Sequence, residues 1–66
     1  MDPTECLRLL RAAEAARDWP AAFEHADNLI TWLYRGGFPP EPWDRPTALQ
    51  YAQEVRRVAL ARGGGR

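Results

Sequence analysis

Ala16-Arg17-Asp18-Trp19-Pro20-Ala21-Ala22-Phe23-Glu24-His25-Ala26 is the stretch whose reading decides the fold. An aspartate side chain accepts hydrogen bonds from the free N–H groups of a first helical turn. A proline in that turn loses nothing, because its missing N–H has no intrahelical partner there. Asp18 and Pro20 therefore mark a helix start. The same punctuation recurs at Asp2-Pro3-Thr4-Glu5 and at Asp44-Arg45-Pro46-Thr47. Asp2 and Glu5 also have capping-box spacing, with Asp in place of the usual Ser or Thr. Three starts predict three helices and an all-α fold.

Working outward, the first helix is expected from Pro3 to Arg17, with Cys6, Leu9, Leu10, Ala13 and Ala16 on one face. The second is expected from Trp19 to Arg35, closed by Gly36-Gly37. Its apolar stripe is Trp19, Ala22, Phe23, Ala26, Leu29, Ile30 and Leu33, with Tyr34 at the margin. The third is expected from Arg45 to Arg62, with Ala48, Tyr51, Ala52, Val55, Val58 and Ala59 inward. Leu49 and Leu60 project from its flank beside Arg56, and Trp43 is placed to staple onto Ala48. The short first connection implies an antiparallel helical hairpin over residues 3–35. A Pro-rich loop, in which Phe38 and Trp43 fold back on the hairpin, joins it to helix 45–62. The expected architecture is a small three-helix bundle: one domain over residues 1–62 and a flexible Gly-rich tail over 63–66.

Residues 16–26 resemble the turn and second helix of a tetratricopeptide-type hairpin, with Trp19, Ala22, Phe23 and Ala26 at its aromatic and small positions. The residues that carry the likeness are 11 of the 66, and the hairpin that it implies spans about half the chain. It implies a helical hairpin and a role in protein binding. The chain departs from the family by lacking a second copy, whereas solenoid repeats need about three to build a core.

With 66 residues the chain has room for one small domain, near the lower limit of independent stability. One Cys and one His leave no disulfide framework and no His-rich metal cage. No apolar run approaches the roughly 18 residues of a membrane span. Met1-Asp2-Pro3-Thr4-Glu5 is acidic where a signal peptide starts basic, so a cytoplasmic location is expected. All nine basic residues are Arg, and Ser is absent. Together with abundant Ala, Gly and Pro this fits a GC-rich bacterial or phage source. The zero net charge is a cancellation. Residues 1–33 carry six acids and three Arg, and residues 34–66 carry six Arg and three acids.

No residue set advertises catalysis, a cofactor, a metal or a small-molecule substrate, so the protein is expected not to be an enzyme. Cys6 reads as a packed thiol, because the only histidine, His25, is expected far from it along the hairpin. His25 has Ala21, Ala22, Asn28 and Leu29 at the spacings where a helical metal pair needs ligands. Glu24 and Asp27 read as a solvated acidic face. Pro39-Pro40-Glu41-Pro42 reads as internally docked rather than as a polyproline ligand.

Trp32 falls outside the apolar stripe, and whether it is exposed or covered by the Pro-rich loop stays open. The expected function is a small helical protein-interaction or structural module that self-associates through Trp32, Leu29, Leu49, Leu60 and, more weakly, Tyr34. The alternative is a nucleic-acid-associated regulator using Arg56, Arg57, Arg62 and Arg66, which equally suit the negative end of a helix dipole.

Overall fold

Each of the three aspartates does what its position predicts. In a computed structural model, which describes residues 1–63, Asp2 accepts from the amides of Thr4 and Glu5, Asp18 from Ala21 and Asp44 from Thr47. The helices they open are α1 (Pro3–Ala15), α2 (Trp19–Tyr34) and α3 (Arg45–Ala61), and no strand occurs among the described residues. Residues 64–66 of the expected tail lie outside the described residues.

The helix ends are as local as the starts. Beyond α2, the Gly36 amide donates to Leu33 O at 3.1 Å and the Gly37 amide to Trp32 O at 2.9 Å, with Gly36 at φ +90°. This is a Schellman closure, in which a left-handed residue returns two amides to the last turn. The α1 end has the same pattern: Arg17 N to Glu14 O at 3.0 Å and Asp18 N to Ala13 O at 2.9 Å. There the left-handed residue is Arg17, at φ +57°. That closure ends α1 at Ala15, two residues before the expected Arg17.

α2 packs against both other helices, and the radius of gyration is 10.6 Å. The core takes Cys6, Leu7, Leu10 and Ala13 from α1, Ala22, Ala26, Leu29 and Leu33 from α2, and Ala48, Ala52, Val55 and Ala59 from α3. The α2 and α3 sets share one spacing, i, i+4, i+7 and i+11, the repeat of a single helical face. Six of these twelve residues are alanine. Small side chains let helix backbones come close, since interaxial distance follows the side chains at the contact. Among the described residues no buried side-chain nitrogen or oxygen lacks a hydrogen-bond partner.

On α1 the expected face needs correction. Leu7 is inside, at 5% exposure, while Leu9 is 37% exposed and Ala16 lies in the turn. Pro3, Cys6, Leu7, Leu10 and Ala13 form a continuous i, i+3, i+4 stripe. Leu9 falls beside that stripe.

The segment between α2 and α3 is tied down at several points. The Glu41 amide donates to Thr4 Oγ1 at 3.2 Å, Pro40 is fully buried, and Trp43 meets Tyr51 edge to face at 5.2 Å. Arg45 donates from Nη1 to Leu33 O at 2.6 Å, so the first residue of α3 holds a carbonyl near the end of α2.

A left-handed non-glycine residue costs about 1–2 kcal/mol, and glycine gives back roughly 0.5–1 kcal/mol of that as lost chain entropy. Arg17→Gly is therefore expected to stabilise the fold by about 0.5–1 kcal/mol, raising Tm by a few degrees in thermal unfolding. A Tm equal to or below that of the wild type would contradict this account of the turn.

Candidate functional site

The three-residue turn at 16–18 sets how far α1 slides along α2. It brings Cys6 level with the middle of α2, where its thiol donates to the backbone carbonyl of His25 at 3.5 Å. The expectation that Cys6 and His25 lie far apart is thereby corrected. Cys6 lies one turn inside α1 and so packs on the middle of α2, while Met1 and Asp2 share a groove with Thr31 and Arg35 near the end of α2. The contact is to the His25 backbone. Burial also pushes the Cys6 thiol above its ordinary pKa, which disfavours the nucleophilic thiolate.

Between α1 and α2 lies an open groove of about 470 Å³. Leu9, Cys6 and Met1 contribute its apolar side from α1 and the residues before it, and Trp32 does so from α2. His25, Asn28 and Thr31 supply polar groups, with Asp2, Glu5 and Arg35 also in the lining. Glu5 is engaged by the Arg8 guanidinium, which holds its carboxyl below the usual range.

Trp32 is half-buried, and the start of the α2–α3 segment covers part of it. Its indole Nε1 donates to Phe38 O at 2.8 Å, and the Phe38 ring stands edge-on to it at 5.5 Å. Gly37 permits this approach, because a Cβ there would sit 2.2 Å from Trp32 Cε2. Phe38 itself is 62% exposed, so it extends the aromatic surface beside Trp32. Met1 and Leu9 are the other large exposed apolar side chains here.

The other residues expected at an interface are distributed differently. Leu29 is fully buried in the core and cannot meet a partner, which corrects that expectation. It lies on the i, i+4, i+7 line of Ala22, Ala26 and Leu33, the stripe that α2 turns to its neighbours. Tyr34 and Leu60 are exposed and Leu49 is half-buried, all away from the Trp32 groove. They belong to two stripes that run side by side. Phe23, Asp27, Ile30 and Tyr34 share one line on α2, and Leu49, Gln53, Arg56 and Leu60 share one line on α3. Gln53 donates to Tyr34 Oη at 3.2 Å, and Arg56 donates to Asp27 Oδ1 at 3.0 Å.

The Arg residues of α3 do not converge. Arg56 is paired with Asp27 and lies over the Phe23 ring at 5.0 Å. Arg62 lies over the Trp19 ring at 5.6 Å, and Arg57 pairs with Glu54 on its own helix. Arg66 is outside the described residues. Of Arg56, Arg57 and Arg62, the first and the last thus turn back onto α2.

Sequence reasoning missed Leu9 and Phe38 as surface groups. The available signal was that Leu7, Leu9 and Leu10 cannot all share one helical face.

No family model, no curated protein and no solved structure matches the chain. The likeness of residues 16–26 to a tetratricopeptide-type hairpin rests on those residues alone. Among the described residues no group of three or more His, Cys, Asp or Glu side chains could hold a metal ion, and no helix is long and apolar enough to cross a membrane.

Two outcomes test this geometry. Gly37→Ala is expected to destabilise the fold by about 1–3 kcal/mol, the usual cost of overpacking, and to shift the tryptophan emission as Trp32 is displaced. An unchanged stability and spectrum would contradict the close approach. At pH 8, Cys6 of the native protein is expected to react with a disulfide reagent at least about tenfold more slowly than in denaturant, because burial and a raised pKa both suppress attack. Equal rates would show an accessible thiolate.

Proposed function

We propose that the protein is a small, non-enzymatic helical interaction module that binds a protein partner through the groove between α1 and α2. The observation that carries this reading is that Met1, Leu9 and Trp32 line one concavity, with the exposed Phe38 ring standing against Trp32 beside it. Exposed apolar side chains gathered at a concave site mark interaction surfaces more often than scattered ones do. Trp32 adds rigid, amphipathic contact area of the kind enriched at binding hot spots.

The reading takes α1 and α2 as an antiparallel hairpin, with the Pro-rich segment between α2 and α3 as a strap that orients Trp32. The contact between Cys6 and His25 and the bond from Trp32 to Phe38 support that arrangement. It also takes the protein as cytoplasmic, where a single unpaired thiol such as Cys6 is at home. The nucleic-acid reading is weaker, because Arg56 and Arg57 already have carboxylate partners that a phosphate would have to displace.

The test compares proteins captured by the wild type with those captured by Leu9→Lys and Phe38→Ser. Both positions are exposed, so each variant should keep its stability to within about 1 kcal/mol. Proteins retained by the wild type and lost from both folded variants are expected. Retention of the same proteins by both variants would reject the groove as the binding site.

A further inference from the structure

The second face, formed by the neighbouring stripes of α2 and α3, has a different character from the groove. Tyr34 is 69% and Leu60 52% exposed, and Leu49, one turn before Gln53 on the same line of α3 as Leu60, is half-buried. Among these apolar groups sits one charge of each sign, Asp27 from α2 and Arg56 from α3. Their side chains are 48% and 44% exposed. The Phe23 ring lies under the Arg56 guanidinium, which keeps the cation on this face.

We infer that this α2–α3 face is the contact between two copies of the chain, related by a two-fold axis. In a two-fold interface the same patch meets itself. A patch of one sign repels its own copy, whereas a neutral patch with one acid and one base on separate helices is self-complementary. The Asp27–Arg56 pair of one copy can then lie against the same pair of the other, acid beside base, with neither pair broken, while Tyr34, Leu49 and Leu60 cover one another. Association adds to what a folded unit of about 60 residues buries, which is only about 60% of its surface on folding. The interface is separate from the α1–α2 groove and does not depend on it.

The experiment measures molar mass by sedimentation equilibrium from about 1 µM to about 1 mM, the span of weak to moderate affinity. The wild type is expected to rise from 7.5 kDa toward twice that mass. Asp27→Arg places two cations on the face and Arg56→Asp places two anions. Each variant alone is expected to associate at least about tenfold more weakly, and an equimolar mixture of the two to recover the dimer. Circular dichroism confirms that each variant is folded, and if either is not, Leu60→Lys serves as the disrupting variant. Leu9→Lys, in the groove, should leave the dimer unchanged. A wild type that stays at 7.5 kDa throughout overturns the inference. So does a dimer lost in Leu9→Lys but kept in Asp27→Arg and in Leu60→Lys.

Discussion

Asp18 closes one helix and opens the next. Its amide donates to Ala13 O, its carboxylate accepts from the Ala21 amide, and its carbonyl accepts from the Ala22 amide. With both roles in a single residue, the connection between α1 and α2 has no slack. The longitudinal position of α1 on α2 follows from it. That position sets Cys6 against the His25 carbonyl and leaves Leu9 and Trp32 lining one groove. A connection longer by a few residues would let α1 slide, and the groove would have no defined shape.

The core depends on a related economy of size. Alanines at 22 and 26 on α2 and at 48, 52 and 59 on α3 are all fully buried. Each contributes little apolar area, so the stabilisation lies in close helix contact and in the high helix propensity of alanine. A core of alanines and a few leucines leaves the larger aromatic side chains at the margins. Trp19, Phe23, Trp32, Trp43 and Tyr51 are accordingly only partly buried, packed over the core as a shell. Both proposed interaction surfaces arise in this way. They are where the shell of large residues is left open, on one side of α2 by α1 and on the other by α3.

The charge pattern along the chain acquires a spatial meaning in the folded molecule. The acidic first half and the basic second half meet at Asp27 and Arg56, a half-exposed pair between α2 and α3. An exposed pair of this kind is worth little in isolation. Its importance lies in where it sits, between apolar side chains on a face that a second copy can approach.

What the amino-acid sequence determines by itself is local. The three helix starts are legible because an aspartate cap and a first-turn proline act within four residues of themselves. The end at Gly36-Gly37 is legible for the same reason, since a left-handed glycine acts on the turn just before it. The all-α class follows from spacing alone, as does the inward face of α3 at Ala48, Ala52, Val55 and Ala59, although Tyr51 and Val58, expected on that face too, are only half-buried. Only the tertiary structure decided that Leu7 and not Leu9 goes inside, that Leu29 is core, and that Trp32 is held by Phe38 across Gly37. Each of those outcomes depends on which neighbour covers which flank of a helix. A helical repeat presents several flanks of nearly equal apolarity, and packing against a second element is what selects among them.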